Sequence, residues 1–79
     1  MVIRIYKGYE IVATPEQFDD NAGWSVTVCI YAHSGPHING RVFKPPEIQI
    51  NQREAILYGL IMAQRTIDGV VEGFSIDDL

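Results

Sequence analysis

The chain has 79 residues, of which 47% are hydrophobic and 20% charged, and its formal net charge is -4. These values predict one small soluble domain over residues 1–79, and they exclude an intrachain disulfide because Cys29 is the only cysteine. No run approaches the ~18 apolar residues of a membrane span, and the unpaired thiol and the lack of a signal-like leader predict a cytoplasmic protein.

The N-terminal third predicts a hairpin followed by a loop. Residues 2–6 and 9–14 are rich in β-branched and aromatic side chains, and Lys7-Gly8 between them is a turn signal. The segment TPEQFDDNAG that follows contains proline, glycine and several Asp and Asn residues. This composition predicts a loop before the next strand.

The third predicted strand is WSVTVCIYA, residues 24–32. Its strict alternation predicts a core face and an amphipathic face. The core face consists of Trp24, Val26, Val28 and Ile30, and the other face of Ser25, Thr27, Cys29 and Tyr31. Gly35-Pro36 and Asn39-Gly40 then give two turn signals before RVFK, residues 41–44, resumes an extended run that Pro45-Pro46 ends.

One long helix is predicted from Gln52 to about Ile67. Asn51 is placed to cap its N-terminus, and Asp68-Gly69 supplies a stop. At 3.6 residues per turn, one stripe predicts the face that lies on the sheet. That stripe comprises Ile56, Leu60, Ala63 and Ile67, flanked by Gly59. The predicted fold is therefore α+β, with a three- to four-stranded, mostly antiparallel sheet in β-β-β-β-α order and the helix on one face.

The predicted helix has more apolar side chains than one sheet face can cover. Tyr58, Ile61 and Met62 lie off the main stripe, and we expect them to form an interaction surface. The alternative is that the acidic tail, residues 70–79, folds back over them. The far sheet face also needs cover, so a homodimer is expected for so small a domain.

The charge distribution gives little support for nucleic-acid binding. Residues 1–67 carry as many acidic as basic side chains, and the excess comes from Asp68, Glu72, Asp77 and Asp78. Nucleic-acid binding remains an alternative only if Arg4, Lys7, Arg41 and Lys44 share one face with aromatic residues such as Tyr6, Tyr9 or Tyr31.

Residues able to carry catalysis or bind metals are few. Cys29, His33 and His37 are the only thiol and imidazoles, and Ser34-Gly35-Pro36 prevents the two histidines from sharing a helix face. We therefore predict no catalytic, metal or cofactor site and no enzyme activity.

Short motifs resemble a group of small uncharacterised bacterial α+β proteins. The KGYEI hairpin at residues 7–11, Gly23-Trp24, the Glu54-Ala55 helix start and Ile67-Asp68 carry this resemblance. A more distant similarity is to HicB-type antitoxins, in which a strand like GWSVTVCI precedes a second strand and then a helix that begins with Glu-Ala, as at Glu54-Ala55. That similarity implies an oligomer with a small toxin protein as partner.

Function is thus predicted at the level of a class. We expect a small non-enzymatic protein that self-associates or binds another protein through an apolar surface. The alternative is a nucleic-acid-binding or antitoxin-like regulatory module.

Overall fold

The computed structural model describes residues 1–17, 23–34 and 37–69, and it contains a four-stranded sheet and one helix. The elements are β1 (Val2–Tyr6), β2 (Tyr9–Gln17), β3 (Trp24–Ser34), β4 (His37–Phe43) and α1 (Gln52–Ile67). All neighbouring strands are antiparallel, in the order β1-β2-β3-β4. The helix packs on one face of the sheet, mainly against β2 and β3. This confirms the predicted α+β class and element order.

The first hairpin has the predicted two-residue turn. Tyr6 pairs with Tyr9, and the residues between them, Lys7 and Gly8, have φ of 50° and 85°. Two successive positive φ values are typical of a type I′ turn, whose twist matches that of the strands. Glycine adopts such a φ without strain, whereas Lys7 is held in the left-handed region by the tight turn.

Strand β2 runs three residues further than predicted, through Pro15 to Gln17. β1 pairs with β2 only as far as the Val2–Ala13 pair, so Pro15 has a neighbouring strand on one side only, where it is opposite Val26. A proline is tolerated at such a locally exposed edge because its missing N–H has no partner to lose. The rest of the predicted loop, residues 18–22, lies outside the described residues.

Strand β4 begins earlier than the predicted RVFK run. His37 pairs with Ser34, and the segment with Asn39-Gly40 is strand, whereas the turn signal Gly35-Pro36 lies outside the described residues. The second turn signal was therefore misleading, because Gly40 lies opposite Tyr31 in a regular ladder. A glycine inside a strand marks a close approach by another group, and here that group is the Tyr31 ring.

The helix boundaries are those predicted. The Glu54 N–H donates to Asn51 Oδ1 at 2.9 Å, which caps the first turn. At the other end, Gly69 has a φ of +77° and its N–H donates to the Thr66 carbonyl at 3.1 Å. A left-handed glycine directly after the last turn is a usual helix terminator.

The helix face on the sheet is rotated from the predicted one. The buried helix residues are small: Ala55, Gly59, Ala63 and Thr66. Ala63 was predicted correctly, but Ile56 and Leu60 are only half-buried at the flank of this stripe. Small side chains let the helix backbone approach β3 closely, and bulky ones cannot occupy that central line.

The core lies between this helix stripe and the two central strands. Its fully or nearly fully buried members are Ile11, Ala13, Val26, Val28, Ile30, Phe43, Ala55 and Ala63. The alternation predicted for β3 is confirmed at Val26, Val28 and Ile30. Trp24 is only half-buried, and its backbone exchanges two hydrogen bonds with Gln49 at 2.8 and 2.9 Å. The segment before the helix is thereby fixed to the start of β3.

Candidate interaction surface

The structure does not place the three predicted interaction residues on one exposed surface. Ile61 is 48% exposed, whereas Tyr58 and Met62 are half-buried and pack against the core. Tyr58 Oη also accepts a hydrogen bond from the Glu47 N–H at 3.2 Å. The connection between β4 and α1 thus contributes to the burial of Tyr58. The acidic tail, residues 70–79, which is the alternative cover, lies outside the described residues.

A larger apolar surface lies on the sheet face opposite the helix, which we call the open face. Directly paired residues of an antiparallel sheet share a face, so the register defines rows across the strands. One row runs Ile3–Val12–Cys29–Val42 across all four strands. An antiparallel sheet with one covered face normally carries polar side chains on the other. Here the row is apolar from one edge of the sheet to the other.

The neighbouring row adds two apolar side chains, Ile5 and Tyr31, and one carboxylate, Glu10. It runs Ile5–Glu10–Tyr31–Gly40. A Cβ added at Gly40 would lie 2.9 Å from both Cδ1 and Cε1 of Tyr31, so the aromatic ring lies across the glycine. Hydrogen bonding to Cys29, with a smaller contribution from Glu10, raises the pKa of the Tyr31 phenol above its ordinary value. Tyr31 is therefore neutral near pH 7 and adds no charge to the open face.

Exposure is high at the edges of the open face. Four large aliphatic side chains there are 49–70% exposed. They are Ile3, Ile5, Ile38 and Val42. Together they present roughly 400 Å² of apolar surface, which is within the size range of functional patches. Ile3 and Ile5 lie on one edge strand and Ile38 and Val42 on the other, and the half-buried Val12 and Cys29 connect the two edges across the sheet.

Polar and charged side chains beside the apolar row contact one another. His33 Nε2 lies 4.0 Å from Glu10 Oε1, and Lys44 Nζ lies 3.5 Å from Glu16 Oε2. Thr27 Oγ1 donates to Glu16 Oε1 at 2.8 Å. This hydrogen bond, followed by the charge of Lys44, lowers the pKa of Glu16 below its ordinary value. Lys44 therefore offsets the charge of Glu16, whereas the Glu10 carboxylate lies beside an imidazole.

The four bases of the nucleic-acid alternative do not share one face. Arg4 and Arg41 belong to the row Arg4–Ile11–Ile30–Arg41, which faces the helix, and they lie on opposite edge strands. Lys7 is paired with Asp68 at the hairpin turn, and Lys44 with Glu16 beside the open face. The condition for a phosphate-binding surface is not met by this placement.

The thiol and the described imidazole also lie apart. Cys29 and His33 are four residues apart on β3, a separation of about 13 Å in an extended strand. A single metal ion cannot contact both at ligand distances near 2.0–2.3 Å. The His37 side chain lies outside the described part of the structure.

The open face could be identified only in part from sequence. The alternation of β3 assigned Cys29 and Tyr31 to the second face, but their apolar neighbours come from three other strands. The register that joins Ile3, Val12 and Val42 into one row depends on turn positions, and the two turn signals between β3 and β4 left that register ambiguous. One sequence signal was available: in VIRIY, Ile3 and Ile5 alternate with Arg4, which indicates two isoleucines on the same face of the first strand.

Comparison with known proteins gives no assignment, because no family model, no curated protein and no solved structure matches the chain. The resemblance to small bacterial proteins and to HicB-type antitoxins therefore stays a prediction. Among the described residues, no helix has the length and apolar character needed to cross a membrane.

Proposed function

We propose that this chain is a non-enzymatic cytoplasmic protein whose open face mediates self-association into a twofold dimer. The observation that carries the proposal is the apolar row Ile3–Val12–Cys29–Val42, which crosses every strand of the sheet. A two-layer domain covers one sheet face with its helix, and a second copy would cover the other. Sheets pack face to face at about 10 Å with their apolar side chains interdigitated.

Charge favours a second copy over a strongly charged partner. A twofold interface brings each residue near its own symmetry mate, so a face with a large net charge would repel itself. The apolar row of the open face carries no charge, and beside it lie the ion pair Glu16–Lys44 and the Glu10 carboxylate next to the His33 imidazole. Such a surface places little net charge opposite its symmetry mate.

The size of the face sets the expected affinity. Burying roughly 400 Å² on each of two copies removes about 800 Å² from water, which is in the size range of weak, transient interfaces. A dissociation constant in the micromolar range is expected for such an interface, corresponding to about 8 kcal/mol. For a 79-residue domain with a small core, this contribution is comparable to its expected folding stability.

The test is sedimentation equilibrium of the full chain from about 0.2 μM to 1 mM, concentrations that bracket a micromolar dissociation constant. Val42→Lys places a charge on the apolar row and is expected to give a monomer throughout this range. Ile50→Lys is the matched control, because Ile50 is 85% exposed and lies outside the sheet, in the connection before the helix. It should leave the dimer intact.

Ile61→Asp distinguishes the two candidate surfaces. If the open face forms the interface, Ile61→Asp leaves the dimer intact, because Ile61 lies on the helix side of the sheet. Dissociation by Ile61→Asp but not by Val42→Lys would show that the helix face is the interface. A parent chain that is monomeric at 1 mM would refute self-association and leave a different protein partner, such as the one implied by the antitoxin resemblance.

A further inference from the structure

A groove lies between strand β1 and the first half of helix α1, on the side of the sheet away from the open face. It encloses about 270 Å³. Its apolar walls come from Val2, Ile56, Leu57 and Leu60, and Arg4 and Arg53 contribute to its lining. Leu57 is 43% exposed, so the groove is apolar surface without full cover among the described residues.

The two arginines of the groove lack acidic partners. Within residues 1–17, 23–34 and 37–69, neither Arg4 nor Arg53 forms an ion pair, and Arg4 Nη1 donates only to the Ile3 carbonyl, at 3.0 Å. An occupant that carries both apolar groups and carboxylates would match this lining.

The last ten residues of the chain have this composition. Residues 70–79 contain Val70, Val71, Phe74, Ile76 and Leu79 together with Glu72, Asp77 and Asp78. They contain no basic side chain, and their three carboxylates account for most of the chain's net charge of -4. Asp68, the acidic residue that precedes this segment, already accepts hydrogen bonds from Lys7 and Tyr6.

The direction and length of the chain allow these residues to reach the groove. Helix α1 runs alongside β1, because its start lines the groove with Val2 and its end, Asp68, contacts Tyr6. After Gly69, whose φ of +77° ends the helix, the chain needs to cover roughly 24 Å to return to Arg53. Ten extended residues span up to about 33 Å.

We propose that residues 70–79 occupy the groove between β1 and α1, with their apolar side chains over Leu57 and Leu60 and the carboxylates of Asp77 and Asp78 facing Arg4 and Arg53. Because the segment is tethered, its effective concentration at the groove is in the millimolar range. A modest intrinsic affinity therefore suffices for high occupancy.

The test is ¹⁵N relaxation of the full-length chain, read at the amides of residues 70–79. Docking predicts backbone order parameters near 0.85 for this segment, close to those of the helix, whereas a free segment gives values below about 0.6. Arg53→Glu should lower the values for residues 76–79 into the free range. Arg65→Glu, the same charge change in the last helical turn, should leave them unchanged.

Charge exchange completes the test. Arg4→Glu and Arg53→Glu combined with Asp77→Lys and Asp78→Lys should restore the order parameters, because attraction replaces repulsion at both positions. Free-chain values in the parent, or no response to Arg53→Glu, would overturn the proposal. Values that fall on dilution would also overturn it, because they would assign the groove to the tail of a second copy. Sedimentation of Arg53→Glu should match that of the parent, which separates this proposal from the dimer at the open face.

Discussion

Gly59→Ala is expected to destabilise the fold, although alanine is the better helix former. The added Cβ would lie 2.8 Å from Val26 Cγ2, 3.1 Å from Val26 Cγ1 and 3.2 Å from Val28 Cγ2. Both valines are fully buried, and β-branched side chains have little rotamer freedom with which to move away. The helix would have to move outward from β3.

Two opposing terms decide the magnitude. Replacing glycine by alanine in a helix interior contributes about 1 kcal/mol in favour of the variant. Overpacking a tight core costs about 1–3 kcal/mol. Because Gly59 meets three methyl carbons below ordinary contact distance, we expect the packing cost to exceed the propensity gain, with a net loss of about 1 kcal/mol.

The assay is urea unfolding followed by helix circular dichroism and by the fluorescence of Trp24, the only tryptophan. The decisive measurement is a double-mutant cycle with Val26→Ala, which removes both of the closest methyl groups. In that background Gly59→Ala should stabilise the fold by about 0.5–1 kcal/mol, because only the contact with Val28 Cγ2 still opposes the propensity gain. If Gly59→Ala stabilises the parent by as much, the close helix–sheet contact is refuted.

The same contact explains why the helix face was predicted one position away from its true place. Hydrophobic periodicity gives most weight to large aliphatic residues, and it therefore selected Ile56 and Leu60. The structure places small residues such as Ala55 and Gly59 on the central line and large ones beside it. Helix–sheet distance, which a single sequence does not specify, determines which of these arrangements forms.

The elements that local chemistry determines were predicted well. The Asn51 cap, the Lys7-Gly8 turn and the left-handed Gly69 each depend on a few adjacent residues, and all three are confirmed. The extension of β2 through Pro15 and the early start of β4 depend on which strands lie alongside. Pairing partners are a tertiary property, so neither boundary could be derived from local signals.

For the candidate surfaces, too, local features could be predicted from the sequence and tertiary ones could not. That surplus apolar surface exists was predictable from composition, and Tyr58, Ile61 and Met62 were reasonable candidates on helical periodicity alone. The burial of Tyr58, however, depends on the connection between β4 and α1, where the Glu47 N–H donates to Tyr58 Oη. The open face depends on register across four strands, and the groove depends on where α1 crosses β1.

Two further predictions test the core and the junction between the helix end and the hairpin. Ile11→Ala should lower the free energy of unfolding by about 2–5 kcal/mol, and Leu60→Ala by about 1–2 kcal/mol, because Ile11 is fully buried and Leu60 is not. Equal losses for the two variants in urea unfolding would contradict the assigned helix face. At the junction, hydrogen bonds from Lys7 and then Tyr6 hold the pKa of Asp68 below its ordinary value. A lowered carboxyl pKa stabilises the fold above the pKa of the unfolded state, about 3.9, and this contribution disappears as pH falls through the folded value. Asp68→Asn should therefore lower the thermal midpoint at pH 6 but not at pH 2.5, and an equal difference at both pH values would show that the charge of Asp68 does not stabilise the junction.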